Sequence, residues 1–245
     1  MIEQTVEIAT KHGAMTTFIA HPERGAAYPA VLFFMDAPGI REELRDMARR
    51  IAAAGYYVML PNLYYRAGVM ELADLPPLPE AEARARMFEL MGSLSIPLVM
   101  SDGDALLDFA DRDPAASNGK IATLGYCMSG QYAICFAARY PHRVAAAASI
   151  YGVQLVTDKA DSPHLAAQKA KGELYFACAE HDSYAPLEMV QTLDQTVKSK
   201  NLNAEVELYP HVHHGFAFPQ RAVYDKPAAE RHWERLFALW RRRLG

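Results

Sequence analysis

Cysteine is scarce in this chain: 245 residues carry three, Cys127, Cys135 and Cys178, an odd number with no CxxC pair. That excludes a disulfide framework and a cysteine-rich zinc site, and it fits free thiols in a reducing compartment. No apolar run approaches the ~20 residues needed to span a bilayer, and Met1-Ile2-Glu3-Gln4 lacks the basic and apolar regions of a signal peptide. The expected location is the cytoplasm, with no membrane partner. An excess of positive charge is missing too. Twenty-five basic against twenty-nine acidic side chains leave a net charge of -4, which offers no electrostatic case for nucleic acid and favours a small-molecule partner. Repeats and low-complexity linkers are absent, whereas 51% hydrophobic and 22% charged residues are the proportions of an ordinary globular chain.

What is present is a rhythm of short β-branched and aromatic runs alternating with longer helical patterns, which means βαβ units. Thr5 to Thr10 and Met15 to Ala20 alternate in polarity around His12-Gly13 and predict an opening hairpin. Ala30 to Met35, Tyr56 to Leu60, Lys120 to Leu124, Ala145 to Tyr151, Glu173 to Ala177 and Ala204 to Tyr209 predict buried, mostly parallel strands. Arg41 to Ala54, Ser129 to Tyr140, Pro186 to Ser199 and Ala228 to Arg242 carry helical spacing, with Gly55 and Pro141 as stops. The expectation is one α/β domain over residues 1–245: a three-layer sandwich with a mostly parallel central sheet and an N-terminal antiparallel hairpin. Tyr64 to Ser101 is the least regular stretch. Pro76-Pro77-Leu78-Pro79 precedes an amphipathic segment, Glu80 to Met91, which Ile96-Pro97 ends, and the whole reads as an excursion or lid over the carboxyl edge of the sheet.

The segment Lys120 to Gly130 reads as a strand that ends in a sharp turn and opens a helix. Such an elbow needs small residues two before and two after its nucleophile, because the strained turn brings backbone together. Gly125 and Ser129 meet that need around Cys127, whereas Ser129 as nucleophile would place Gln131 at a flank too tight for it. The helix N-terminus stabilises negative charge on sulfur, and the Met128 N–H is placed to donate to an oxyanion. The plain alternative is a buried cysteine in a glycine-rich turn.

A thiol nucleophile needs a base and an orienting carboxylate, which in an elbow fold follow the nucleophile as acid and then histidine, each after a later strand. Asp182 lies in the loop after Glu173 to Ala177, and His214 follows the last strand, before Gly215-Phe216. His211 and His213 compete with His214 for the base. Those three together with His181 also permit a different reading, a metal site of clustered imidazoles.

These residues resemble the dienelactone hydrolase family of α/β-hydrolase-fold enzymes over nearly the whole chain. Gly125-Tyr126-Cys127-Met128-Ser129-Gly130 is similar to that family's cysteine elbow, Asp182 and His214-Gly215-Phe216 to its acid and histidine, and Pro61-Asn62-Leu63-Tyr64 to the segment after its second βα unit. The resemblance implies that Asp36 stands where the family has a glutamate that hands the thiol proton to the histidine, and that the Ala37 N–H is the second oxyanion donor. It further implies a substrate role for Arg84 and its partner Phe88, where the family has tyrosine. The position of a second family arginine, four residues past the histidine, is Phe218, so Phe218, Phe216, Phe88 and Tyr64 suggest an apolar, aromatic-lined pocket.

The expected function is hydrolysis of a small carboxylic ester or lactone through Cys127, His214 and Asp182 and a thioester acyl-enzyme, with no cofactor and no metal, in a monomer or small homo-oligomer. The alternatives are a catalytically silent binding module on the same fold and a metal-dependent hydrolase using the histidines.

Overall fold

The computed structural model describes residues 1–72 and 78–245; the Pro76-Pro77 pair lies outside the described residues. Two compact units divide the chain, Met1–Gly119 and Lys120–Gly245. Among the described residues no helix is long and apolar enough to cross a membrane.

In the first unit β1 (Ile2–Thr10) and β2 (Gly13–His21) form the hairpin expected from their alternating polarity, paired from Ile2↔His21 to Thr10↔Gly13. The turn is tight because the Thr10 hydroxyl accepts from the His12 N–H at 3.0 Å and donates to the Gly13 carbonyl at 2.9 Å. β3 (Ala30–Phe34) and β4 (Tyr57–Pro61) are buried along their whole length, as continuous apolar runs require, and pair in parallel, while β4 pairs antiparallel with β2. α1 (Glu42–Ala53) buries Leu44, Met47, Ala48 and Ile51 at helical spacing, with Glu42 and Glu43 in its first turn and Arg50 in its last, each favourable to the helix dipole.

The stretch expected to be irregular holds two helices. α2 (Glu80–Gly92) covers the amphipathic segment, and α3 (Ile96–Ala110) begins where Ile96-Pro97 was read only as a break. Proline ends a helix from its interior but suits the first turn of the next, where its missing N–H costs nothing. The Ser95 side chain caps α3 by accepting from the Leu98 N–H. α3 also carries a fully buried carboxylate, Asp102, which accepts two hydrogen bonds from Arg66 at 2.6 and 3.0 Å and one from the Tyr65 hydroxyl at 3.0 Å.

The second unit is a parallel run in the order β5 (Ile121–Tyr126), β6 (Val144–Ile150), β7 (Glu173–His181) and β8 (Ala204–His213). Crossovers are made by α4 (Gly130–Arg139), by the short α5 (Pro163–Ala166), and by α6 (Leu187–Ser199); α7 (Lys226–Leu244) closes the chain. Its core is aromatic, with Phe136, Phe176, Phe216, Phe218 and Trp240 fully buried. β7 and β8 each run four residues beyond the predicted ends at Ala177 and Tyr209. Polar Glu180, His181, His211 and His213 hide that extension in the sequence, because they end the apolar signal before the pairing ends.

Asp102 gives a test of how the first unit is held. Breaking a buried charge pair from one side strands the other charge, which typically costs about 3 kcal/mol, less where the partner is partly exposed like Arg66. Asp102→Ala is expected to lose about 2 kcal/mol in urea denaturation, and a loss below about 0.5 kcal/mol contradicts the assignment.

Candidate active site

The elbow is visible in the backbone. Cys127 sits at the end of β5 with φ 53, in the left-handed region that costs a side-chain-bearing residue on the order of 1 kcal/mol or more, and leads through a 3-10 turn, Cys127–Ser129, into α4. Close contacts hold it there. A Cβ on Gly125 would lie 2.1 Å from the Ser129 carbonyl oxygen, and one on Gly130 would lie 2.2 Å from Ser149 Oγ, so only glycine fits at either place. The Cys127 carbonyl accepts from the Val153 N–H at 3.1 Å, and Gln131 Nε2 donates to the Met128 carbonyl at 2.9 Å, fixing the peptide after the turn.

The thiols separate by environment. Cys127 is partly exposed, whereas Cys135 and Cys178 are buried. Burial, with Asp161 and Asp182 adding to it respectively, pushes the Cys135 and Cys178 thiols up to about 12, so both stay protonated and inert. Ser129, the competing nucleophile, is fully buried.

Asp182 leaves the end of β7 and points one oxygen each way. Oδ1 accepts the N–H groups of Tyr184 and Ala185 at 2.8 and 3.0 Å, and Oδ2 meets His214 Nδ1 at 2.7 Å. His214 also hydrogen-bonds to Cys127. Burial lowers its pKa, but the Asp182 and Cys127 hydrogen bonds and their charges outweigh burial and raise it to about 9. The Tyr151 and Tyr184 rings flank the imidazole, each with its centroid 5.0 Å away. The histidine-cluster reading therefore divides: His214 belongs to Asp182, while the His211 N–H and ring face Glu180 and His213 lies against the His181 ring.

In the first unit, Asp36 is fully buried with both carboxylate oxygens accepting from Arg41, at 2.6 and 3.1 Å. Arg41 also donates to Glu43 and to the Gly39 carbonyl; burial lowers its pKa, but Asp36 and Glu43 outweigh that and raise it. Tyr64 is buried as well, its hydroxyl donating to the Ala37 carbonyl at 2.8 Å, so it holds the Ala37 loop and does not present an open face. Arg84 and Phe88 are exposed on α2, with the guanidinium 5.7 Å over the ring.

Phe218 departs from the expected pocket wall. It is fully buried against Tyr126 and Tyr151 at 5.3 and 6.1 Å, because the turn after Gly215 directs Phe216 and Phe218 into the core. Sequence reasoning passed over Tyr184, exposed beside His214, although its place two residues after the acid was a usable signal. It also passed over Arg221, whose guanidinium stacks on Phe218 and reaches Gly215, next to His214.

A model of the dienelactone hydrolase family matches residues 15–244. The chain belongs to the dienelactone hydrolase family. This family member is 26% identical over 243 residues to a protein of Synechocystis sp. named "Putative carboxymethylenebutenolidase", covering 98% of this chain and 96% of that one. An Escherichia coli K12 protein of the same name is 28% identical over 237 residues, with 94% and 83% covered. Among solved structures, a "Putative Dienelactone Hydrolase" from Klebsiella pneumoniae superposes with a TM-score of 0.86 at 25% identity, covering 98% of both chains. Thermogutta terrifontis esterase 2, at 12% identity and a TM-score of 0.71 over 99% of this chain and 95% of that one, shares the fold. The family member is thus a hydrolase of the α/β-hydrolase fold, as the βαβ rhythm and the elbow led one to expect.

The His214 environment has a pH signature. A pKa raised from 6.5 to about 9 stabilises the folded chain fully below 6.5, and that contribution is lost as pH rises through about 9. NMR titration of the His214 ring is expected to give a midpoint near 9 that falls in Asp182→Asn; a wild-type midpoint at or below 6.5 contradicts the hydrogen-bonding assigned here.

Proposed function

We propose that this chain hydrolyses small carboxylic esters or lactones by acyl transfer to Cys127. The observation that carries this is the hydrogen-bonded series Cys127, His214, Asp182, which begins at a strained elbow and ends on a carboxylate anchored by two backbone N–H groups. The name carboxymethylenebutenolidase borne by the relatives supports a lactone among the substrates.

Cys127 Sγ, its proton held by His214, attacks the carbonyl carbon, and the carbonyl electron pair moves onto oxygen. The Met128 N–H, first after the nucleophile, receives that oxyanion, and the resemblance assigns the second donor to the Ala37 N–H; such donors are worth roughly 3 kcal/mol each. Collapse breaks the bond to the leaving oxygen, which takes the proton from His214 and leaves a thioester. His214, now neutral, removes a proton from water as it attacks the thioester, and returns that proton to the departing Cys127 sulfur. Asp182 keeps the ring oriented and stabilises the imidazolium.

In this reading His214 handles the thiol proton by itself. Asp36, whose oxygens are both engaged by Arg41, anchors the loop that carries Ala37. Arg84 and Phe88 stay as the family-implied substrate contacts, and Tyr184 supplies an exposed aromatic surface beside the base. With one family-position arginine the reading favours uncharged or singly anionic substrates.

The test is turnover of a panel of chromogenic esters and lactones. Cys127→Ala and His214→Ala are each expected to lose about 10²- to 10⁴-fold in kcat/KM, with chelators without effect on the wild type. Full activity in Cys127→Ala would sink the proposal.

A further inference from the structure

Two histidines that the acyl-transfer chemistry does not use, His181 and His211, converge at the carboxyl ends of β7 and β8. Glu180, His181 and His211 each offer a ligand atom, and those atoms lie within 4.8 Å of one another. Glu180 Oε2 is the hub, 3.4 Å from His211 Nδ1 and 3.9 Å from His181 Nε2.

Regular strands would not produce this. Adjacent residues on a strand point to opposite faces, so Glu180 and His181 should diverge. The β7–β8 register shifts between Ala179 and His181, an irregularity of the kind that re-aims side chains. Opposite it, His211 takes φ 62, a left-handed conformation costly for a histidine, and its N–H is tied to Glu180 Oε2 at 2.6 Å. Two departures from regular backbone on facing strands therefore bring one carboxylate and two imidazoles together, all three side chains being partly or mostly solvent-exposed.

We propose that Glu180, His181 and His211 form a binding site for a borderline divalent transition-metal ion, Zn²⁺ being the model case, separate from the acyl-transfer chemistry. Two imidazoles and a carboxylate favour Zn²⁺, Co²⁺, Ni²⁺ or Cu²⁺ over Mg²⁺ and Ca²⁺, which prefer oxygen alone. Bonds of about 2.0–2.2 Å require the three ligand atoms to close in by rotation of exposed side chains, and water completes the coordination. Asp182 is not recruited, since its oxygens are engaged by Tyr184, Ala185 and His214. The ion joins the strand end that leads into Asp182 to the one that leads into His214, so occupancy stabilises the folded chain.

The experiment uses the full chain without an affinity tag, stripped with chelator and titrated with Zn²⁺ by calorimetry and with Co²⁺ by visible absorption. One equivalent is expected to bind, raising the melting temperature, with cobalt d–d bands and no thiolate-to-cobalt charge transfer. Affinity is expected to fall at least about tenfold in His211→Gln and in His181→Gln, each checked by circular dichroism for a native fold without metal, and to be unchanged in Cys127→Ser. Retained affinity in the doubly substituted His181→Gln, His211→Gln chain overturns the proposal. So does loss of binding in Cys127→Ser with a thiolate band in the wild type, which places the ion on Cys127 and His214.

Discussion

The approach of the Ser129 carbonyl to within 2.1 Å of where a Gly125 Cβ would stand is the constraint on which the rest of the site depends. It forces the chain to reverse between β5 and α4 in five residues, and that reversal places Cys127 in the left-handed region with its side chain partly exposed at the start of a helix. The backbone strain is held by packing on both sides: Gly130 against Ser149 and Gly152 from below, and the Cys127 carbonyl tied to Val153 from the next loop. The fold thus leaves this sulfur partly exposed, whereas Cys135 within a helix and Cys178 within a strand are buried, with thiols pushed up to about 12.

Buried charge is treated consistently elsewhere. Asp102 is held by Arg66 and Tyr65, Asp36 by Arg41, and Glu207 by Arg231, Arg235 and Tyr175, each a carboxylate whose oxygens are met by donors. The pairing in the candidate active site differs in kind, because the partner of Asp182 is a histidine, which can exist with or without its second proton. Asp36 and Asp102 face an arginine, which keeps its proton at any pH the protein meets, so those pairs fix loops in place. Asp182 faces an imidazole raised to about 9, a group that titrates where an arginine does not.

Much of this was legible in the sequence for a physical reason. Continuous apolar runs mark strands buried on both faces, and the Gly-x-Cys-x-Ser-Gly pattern marks a turn that only small flanking residues permit, so the parallel strands, the elbow and the positions of Asp182 and His214 could be read in advance. What escaped was decided by side-chain direction and by long-range partners. Pro97 reads as a break until Ser95 is seen to cap a new helix behind it. Phe218 reads as a pocket wall, yet the turn at Gly215 sends it into the core beside Tyr126. Tyr64 reads as a ligand contact, and its hydroxyl holds the Ala37 carbonyl instead. The sequence neighbours of Asp36 do not show that Arg41, at the cap of α1, takes both its oxygens.

The central claim, that the acyl group passes through the Cys127 sulfur, is tested most directly by trapping the intermediate. Rapid acid quench of the wild type during turnover of a slow ester, followed by mass spectrometry of the intact chain and its peptides, is expected to show one acyl mass added, on the peptide containing Cys127, and discharged by hydroxylamine. An acyl group on Ser129 or on Cys178, or turnover with no covalent species at quench times shorter than one catalytic cycle when acyl-enzyme hydrolysis is made rate-limiting, would contradict it.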